Sequence, residues 1–149
     1  LFNWLAPDME NARCLDLFAG TGSLGFEALS RGASSVTFVE KSKIASKLLQ
    51  DAAKLLEAEN INICNQEAQV FLKPKADQRY SLVFLDPPFG DKLLSDIIAF
   101  LHRGNWLSVG AKIYVELEKN QEFPVLPERW VVTHKKNIGK VCFALLKVI

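Results

Sequence analysis

A buried strand that leads into a glycine-rich turn and then into a helix is the feature that most restricts how this chain can fold. The apolar run Arg13–Phe18 is followed by Gly20, Gly22 and Gly25, and a helix is predicted over about Ser23–Ser30. The same alternation of strand and helix continues along the chain, which is typical of a parallel sheet covered by helices on both faces. The sequence therefore predicts one α/β domain whose ligands bind at the carboxyl ends of its strands.

The remaining elements are predicted from the spacing of apolar residues. Strands are expected at Ser35–Glu40, Asn60–Cys64, Tyr80–Leu85 and Lys112–Leu117, and helices at 42–58, about Ala68–Leu72 and 91–102. Helix 42–58 has an apolar stripe at a period of 3.6 residues, made of Ile44, Leu48, Leu49, Ala52, Leu55 and Leu56. The tail alternates at period two, and this indicates a hairpin of Trp130–Thr133 and Val141–Leu146 with Asn137-Ile138-Gly139 between them. This hairpin makes the sheet mixed.

The start of the chain predicts a helix that is cut short. Leu1–Leu5 has the pattern of the last turns of a helix, and we expect Pro7 to end it. There is no initiator Met and no capping residue ahead of this apolar stretch. We therefore expect a native segment to precede Leu1.

Composition excludes several classes of protein. A chain of 149 residues that is 49% apolar can bury a sizeable core as one domain and is not disordered. It has no run close to the roughly 20 apolar residues that span a bilayer. Cys14, Cys64 and Cys142 each lie in a strand-like run, and His102 and His134 are isolated, so we expect reduced cysteines and no metal site. Reduced cysteines favour a cytoplasmic protein. We further expect a monomer, since no long apolar helix surface is left over.

Charge is divided unevenly along the chain, although the formal net charge is only +1. Residues 1–128 hold 13 basic and 17 acidic side chains, whereas residues 129–149 hold five basic side chains and no acidic one. The total argues against a globally basic nucleic-acid binder, but a polyanion responds to local potential. Two interpretations of the tail stay open, a solvated cationic hairpin and a surface for a polyanion.

The glycine-rich turn predicts a nucleotide-like ligand. Gly20, Gly22 and Gly25 fit the spacing G-x-G-x-x-G, and Glu40 ends the next strand, where an acid binds ribose hydroxyls. A tight turn that needs glycine for its backbone is the structural alternative. Asp16 would lie beside the pyrophosphate of a dinucleotide at the helix N-terminus, which disfavours that ligand. S-adenosylmethionine has no phosphate, and Asp16 could bind its ammonium group directly or through water.

The tetrapeptide Asp86-Pro87-Pro88-Phe89 closes the fourth predicted strand, at the same edge of the sheet as the glycine-rich turn. Two prolines remove two backbone donors and stiffen the chain, so that the Asp86 carboxylate and the Pro87 carbonyl can act together as acceptors. Two fixed acceptors suit one exocyclic amine, and Phe89 offers a face on which a planar base can stack. The alternative is a Pro-Pro loop whose acid caps helix 91–102.

Taken together, the glycine-rich turn with Asp16, the acid at Glu40 and the Asp-Pro-Pro-Phe sequence resemble a class I S-adenosylmethionine-dependent methyltransferase. The stretches LFNWLAP, CLDLFAGTGSLGFEALSRGA, DPPF and NWL…IYVE are similar to the RsmD family, bacterial enzymes that methylate N2 of one guanine in 16S ribosomal RNA. The resemblance implies a Rossmann-like, seven-stranded mixed sheet of order 3-2-1-4-5-7-6 with an antiparallel last strand. It also implies a preceding segment of about forty residues that helps to bind cofactor and RNA.

The resemblance also assigns roles to individual residues. Glu67, just after the third strand, lies where it could reach the adenine edge, although an ordinary acid at a helix N-terminus is the alternative. The cofactor residues are then expected to be Asp16, Phe18, Ala19, Gly20, Thr21, Gly22, Glu40, Lys41, Glu67, Ala68 and Asp86. The catalytic residues are expected to be Asp86, Pro87, Pro88 and Phe89. The RNA is expected to contact Lys135, Lys136 and Lys140, and the partner is 16S rRNA or a small-subunit assembly intermediate.

The predicted reaction is an in-line displacement: the guanine amine attacks the methyl group of S-adenosylmethionine, the methyl–sulfur bond breaks, and S-adenosylhomocysteine leaves. Because the methyl group is already activated, positioning is expected to dominate catalysis. Three alternatives stay open. The first is another exocyclic-amine methyltransferase, acting on adenine N6 of DNA or RNA or on a protein glutamine amide. The second is a nicotinamide-dependent oxidoreductase, and the third is a non-catalytic RNA-binding module with the same fold.

Overall fold

The computed structural model describes residues 2–88 and 91–149, and the chain alternates between helix and strand up to its closing hairpin. The helices are α1 (Phe2–Met9), α2 (Ser23–Ser30), α3 (Lys43–Leu55), α4 (Ala68–Leu72) and α5 (Asp91–Arg103). The strands are β1 (Arg13–Asp16), β2 (Ser35–Val39), β3 (Ile61–Cys64), β4 (Tyr80–Leu85), β5 (Leu107–Glu118), β6 (Trp130–Ile138) and β7 (Val141–Val148).

Within the described chain, the strands form one seven-stranded sheet of order β3-β2-β1-β4-β5-β7-β6. Strands β1 to β5 are parallel, and β7 runs antiparallel to both of its neighbours. The predicted mixed sheet and its order are confirmed. The carboxyl ends of β1 to β5 share one edge, which we call the carboxyl edge. Because Glu118 pairs with Val141, the turn of the β6–β7 hairpin lies at this edge too.

The core has two layers, one on each face of the sheet. Alternate residues of a strand point to opposite faces, so that Ile113 and Val115 of β5 enter the layer under α4 and α5. Tyr114, between them, enters the layer under α1, α2 and α3. The strands are therefore apolar on both sides, as expected of a parallel sheet that is covered on both faces.

The structure differs from the predicted elements at three places. Pro7 lies inside α1 and does not end it, because Leu5 and Met9 bury one side of that helix at 0% and 2% exposure. Strand β5 begins at Leu107 rather than at Lys112, since an irregular register opposite β4 interrupts the apolar pattern there. The hairpin strands are longer than predicted, and only Gly139 and Lys140 separate them.

The apolar stripe of α3 is the clearest departure from expectation. The residues of α3 that are buried are Ser46 and Leu49, while Ile44 is 77% exposed, Leu48 61% and Leu55 85%. The helix lies close to the glycine-rich turn, with Leu49 Cδ2 only 2.5 Å from where a Cβ on Gly22 would stand. Because the helix lies so close to the turn, only the narrow face with Ser46 and Leu49 is buried. The expectation that no apolar helix surface is left over is wrong, and the monomeric state stays a prediction.

The other structural expectations concern cysteines and the membrane. Cys14 and Cys142 are buried, Cys64 is partly buried, and all three thiols are free. Burial, with Asp16 nearby, raises the pKa of the Cys14 thiol to about 12, so this thiol stays protonated. No helix in the described part of the chain is both long and apolar enough to cross a membrane.

Candidate active site

A cavity of about 350 Å³ opens at the carboxyl edge, above β1, β2 and β4. Eight of the residues predicted to form the site line it: Phe18, Gly20, Glu40, Lys41, Glu67, Ala68, Asp86 and Pro88. Its other lining residues are Leu17, Val39, Gln69 and Leu93, which the sequence did not single out. These four lie in ordinary apolar or polar stretches, so no local signal separates them from other core or surface residues. The structure thus brings residues from five separate segments together around one cavity.

The glycine-rich turn forms one wall of the cavity. Gly20 has a backbone φ of +54°, which L side chains rarely adopt, and nothing lies within 4 Å of where its Cβ would stand. Gly25 serves packing instead, because a Cβ there would stand 2.3 Å from Phe38 Cε1 of β2. The predicted residues Ala19, Thr21 and Gly22 belong to the turn but do not line the cavity. The tight-turn alternative therefore holds at Gly20, where φ is positive, and Gly25 has a packing role that neither interpretation included. Binding of a ligand by the turn stays a prediction.

Glu40 is held in place by the turn that faces it. Its Oε1 accepts a hydrogen bond of 2.9 Å from the Gly20 N–H, and its Oε2 accepts one of 2.7 Å from the Ser42 N–H. The Asn65 side chain donates to the carbonyls of Glu40 and Lys41 at 2.9 and 3.1 Å. A carboxylate has about four acceptor positions. Glu40 therefore retains capacity to accept from a ligand hydroxyl while its orientation is fixed.

Asp16 lies beneath the cavity rather than on its surface. Its side chain is 2% exposed, and Oδ2 has no hydrogen-bond partner within the described chain. Burial is the main cause that raises the pKa of Asp16 to about 7; the charges of Asp86 and Glu40 contribute to this rise, and backbone hydrogen bonds from Gly25 and Phe18 oppose it. A buried carboxylate with an unused oxygen is costly unless a donor or a cation reaches it. The site is therefore preorganised for a positively charged or strongly donating group.

Asp86 and Pro88 stand at the mouth of the cavity. Both are exposed, and the Pro87 between them is buried. Partial burial and the neighbouring carboxylate of Glu116 raise the pKa of Asp86 to about 6. Phe89, predicted as the stacking residue, lies outside the described residues. The geometry places one carboxylate and two donor-less proline positions at the point where β4 ends.

Glu116 is a site residue that the sequence reasoning missed. Leu85 of β4 pairs with Val115 of β5, so the residues that follow, Asp86 and Glu116, stand side by side at the carboxyl edge. The Tyr114 hydroxyl donates a hydrogen bond of 3.0 Å to Glu116 Oε2 and orients the side chain. This contact and burial raise the pKa of the Tyr114 hydroxyl. The signal in the sequence is an acid near the carboxyl end of a β strand, comparable with Asp16 at the end of β1 and Asp86 directly after β4.

Glu67 is the residue that immediately precedes α4, and its side chain makes no capping hydrogen bond. It lines the cavity instead. Of the two interpretations of Glu67, its geometry favours the one in which the side chain faces a ligand.

The three tail lysines are all exposed, but the hairpin separates them. Lys136 is on the α1 side of the sheet, where Phe143 opposes it, whereas Lys135 lies over the Phe123 ring at 4.6 Å on the other side. Lys140 is in the hairpin turn, and its carbonyl accepts a hydrogen bond of 2.8 Å from the Lys119 N–H. Lys136 and Lys140 therefore lie toward the carboxyl edge. Among the described residues, no group of His, Cys, Asp and Glu side chains could hold a metal ion.

Comparison with known proteins gives concordant matches along the whole chain. A family model described as "Conserved hypothetical protein 95" matches residues 1–147. The chain is 43% identical over 148 residues to the Ribosomal RNA small subunit methyltransferase D of Haemophilus influenzae, covering 97% of this chain and 76% of that protein. The protein of the same name from Escherichia coli is 41% identical over 145 residues, covering 97% of this chain and 73% of that protein.

Solved structures agree with the sequence comparisons. The structure of the Escherichia coli protein yhhF superposes with a TM-score of 0.96 at 40% identity, covering 99% of this chain and 82% of that one. A conserved hypothetical protein from Streptococcus pyogenes superposes with a TM-score of 0.89 at 31% identity, covering 98% of this chain and 91% of that one.

Proposed function

Because this chain belongs to the family of ribosomal RNA small subunit methyltransferase D proteins, we propose that it transfers the methyl group of S-adenosylmethionine to N2 of a guanine in 16S ribosomal RNA. The observation that carries this proposal is a pair of carboxylates: Asp86 lines a cavity walled by the glycine-rich turn, and Glu116 on the neighbouring strand is close enough to raise the pKa of Asp86. The family supports the reaction class, and this pair of acceptors supports the choice of guanine.

The cavity fits S-adenosylmethionine through groups that are otherwise unused. Glu40 accepts from the ribose hydroxyls, and Gly20 lets the ligand approach the backbone. Asp16 lies under the turn, so its unpartnered Oδ2 acts on the ammonium of the methionine part through water or after a small local movement. Glu67 and Ala68 border the region assigned to the adenine, and Lys41 the region of the ribose. When bound, the cofactor supplies a methyl group on a positively charged sulfur.

The pair Asp86 and Glu116 supports guanine as the acceptor base of the proposed reaction. The exocyclic amine of guanine is flanked by a second donor, N1–H, whereas the amines of adenine and cytosine are flanked by a ring nitrogen that accepts. Ionised carboxylates only accept hydrogen bonds. Two adjacent carboxylates therefore match the donor–donor edge of guanine and repel the donor–acceptor edges of the other two bases.

The chemistry assigned to this chain is positioning and proton handling. Asp86, with the Pro87 carbonyl, accepts from the N2 amine, localises its lone pair and stabilises the positive charge that develops on nitrogen. The raised pKa of Asp86, about 6, leaves it mostly ionised at pH 7 and able to take the proton that nitrogen loses. Phe89 is proposed to stack on the base.

The RNA is proposed to approach along the carboxyl edge from the side of the hairpin. Lys136 and Lys140 lie toward that edge, and Lys135 lies on the opposite face of the hairpin. All three belong to a tail with five basic side chains and no acidic one. The target base must leave its stack to reach Asp86, which suits a splayed nucleotide of a folded RNA. We propose that the protein acts in the cytoplasm, as a monomer and without a metal ion.

The test is methyl transfer from isotopically labelled S-adenosylmethionine to 16S rRNA and small-subunit assembly intermediates, with DNA and a glutamine-containing peptide as competing substrates. We expect label on N2 of one guanine, and Asp86→Asn should abolish transfer while cofactor binding remains. Label only in DNA, in adenine or in peptide would refute the proposal in favour of another exocyclic-amine methyltransferase. Tight binding of NAD in calorimetry, with none of S-adenosylmethionine, would refute it in favour of an oxidoreductase. Unchanged transfer by Asp86→Asn would exclude the assigned role of Asp86.

A further inference from the structure

A second cavity of about 340 Å³ lies between the start of α1 and the β6–β7 hairpin, outside the proposed cofactor site. We call it the hairpin cleft, and its lining residues are Asn3, Trp4, Lys136, Ile138 and Phe143. None of them has a part in the cofactor site or in the reaction at Asp86. Its volume lies within the range of cavities that bind small organic groups, which begins at about 300 Å³.

The rings of the cleft are held in position by their neighbours. Trp4 stacks on His134 with ring centroids 5.1 Å apart and an angle of 26° between the rings. Phe143 stacks on Tyr114 at 6.4 Å and 24°. Flat aromatic surfaces that are already oriented bind planar bases without a large loss of side-chain freedom.

The cation of the cleft has no acidic partner among the described residues. Lys136 is exposed, and none of the ion pairs formed by the described residues includes it. Lys140 follows in the hairpin turn, and the strand that carries Lys136 has no acidic residue. A lysine beside two aromatic rings and the Asn3 amide matches a nucleotide, in which a planar base is joined to an anionic phosphate.

The cleft is continuous with the proposed acceptor site. Phe143 pairs with Glu116 across β5 and β7, and Tyr114, which supports the Phe143 ring, donates its hydroxyl hydrogen bond to Glu116. Asp86 lies on the next strand, β4. With strands about 4.8 Å apart, Phe143 stands two strands, or roughly 10 Å, from Asp86 along the carboxyl edge. An RNA chain whose guanine is at Asp86 therefore passes the cleft with a neighbouring nucleotide.

We propose that the hairpin cleft binds the RNA nucleotide adjacent to the target guanine, with its base against Trp4 and Phe143 and its phosphate at Lys136. The proposal rests on the proposed function, since it takes the position of the target base from the acceptor site. The cleft holds the flanking nucleotide while the guanine is turned out of its stack.

The first experiment uses Trp4 as a reporter. The other two tryptophans, Trp106 and Trp130, are each only 5% exposed, so a base that enters the cleft changes the fluorescence of Trp4 alone. An RNA trinucleotide with a central guanosine should quench this fluorescence, and the Trp4→Phe variant should show no quenching. The same trinucleotide with abasic flanking residues should bind about fivefold to 150-fold more weakly, the range expected from the loss of the one base stacked in the cleft.

The second experiment separates the base contact from the phosphate contact. Lys136→Gln should reduce the slope of log affinity against log salt by about 0.7, the value for one phosphate contact on a single strand. Lys147→Gln is the matched control, because Lys147 is exposed on β7 near the opposite edge of the sheet. Trp4→Leu, which keeps an apolar side chain in the first turn of α1, should weaken binding at an unchanged salt slope, and its urea midpoint verifies folding.

The outcomes distinguish this proposal from the proposed function. Two results would refute the nucleotide site in the hairpin cleft: equal affinity for both trinucleotides, or equal salt slopes for the variants at Lys136 and Lys147. If 16S rRNA is still methylated in that case, the proposed function stands. Quenching of Trp4 by the trinucleotide without any methylation of RNA would support the cleft and refute the proposed function. Quenching by an acidic peptide, and none by RNA, would overturn the cleft as a nucleotide site.

Discussion

Replacing Asp16 by Asn should stabilise the protein without cofactor and at the same time remove cofactor binding. Asn keeps the size of the side chain and one acceptor oxygen but carries no charge. The charged form of Asp16 is disfavoured in the fold, because its pKa rises from 3.8 to about 7. The substitution removes this penalty together with the charge that is proposed to attract the ammonium group.

The magnitude follows from proton linkage. The folded protein holds the Asp16 proton more tightly than the unfolded chain does. Ionisation of Asp16 therefore contributes almost nothing to the free energy of unfolding below pH 4, and it lowers that free energy increasingly as the pH rises to about 7. At about 1.36 kcal/mol per pKa unit, the penalty is about 2 kcal/mol at pH 5 and about 4 kcal/mol at pH 8. The unfolding free energy of Asp16→Asn, relative to the unmodified chain, should therefore increase by about 2 to 3 kcal/mol between these two pH values.

The assay is urea unfolding of both proteins at pH 5, 6, 7 and 8, and only the difference between them is interpreted. Asp77→Asn serves as a control, since it makes the same chemical change at an exposed position outside the core. Calorimetry with S-adenosylmethionine completes the test. A difference for Asp16→Asn that is constant with pH would refute the raised pKa, and undiminished cofactor affinity would refute the role of Asp16 in binding.

Three further predictions use other contacts. Because Asp86 must be ionised, the acidic limb of the kcat/KM profile is expected near pH 6. Glu116→Gln removes a carboxylate that raises the pKa of Asp86, so this limb should move to lower pH. Gly25→Ala should lower the unfolding free energy by about 1 to 3 kcal/mol, because its Cβ would stand 2.3 Å from Phe38; a urea midpoint equal to that of the unmodified chain would contradict this. Leu49→Ala should cost about 2 to 5 kcal/mol and Leu48→Ala less than about 0.5, since Leu49 is fully buried and Leu48 is 61% exposed; equal costs in urea unfolding would show that α3 is rotated.

The candidate site was predictable where its chemistry is local in sequence. The glycine-rich turn, Glu40 and Asp86 each follow a strand, and parallel strands bring their carboxyl ends to one edge. Once the strands are recognised, the meeting of these residues follows from topology. Glu116 was missed because its neighbour Asp86 is thirty residues away, and the pairing of Leu85 with Val115 brings them together.

Patterns of exposure were less predictable than patterns of secondary structure. The period of α3 identified a helix correctly, but it could not tell how closely that helix lies on the sheet, and Ile44, Leu48 and Leu55 remain exposed. The tail lysines were grouped by charge, whereas the pleat of β6 sends Lys135 and Lys136 to opposite faces. The sequence indicated neither the hairpin cleft nor the stacking of Trp4 on His134, because α1 and β6 are far apart in the chain.

By itself, the sequence determined the order of strands and helices, the mixed sheet, and the identity of the motifs at its carboxyl edge. The spacing of apolar residues and the positions of glycine and proline act through local backbone geometry, so the sequence alone predicts the elements that they form. The tertiary structure alone decided that Asp16 is buried with a pKa of about 7, that Glu116 stands beside Asp86, and that an aromatic, cationic cleft adjoins them. Burial and charge–charge coupling depend on residues that are distant in sequence and close in space, and no local pattern records those distances.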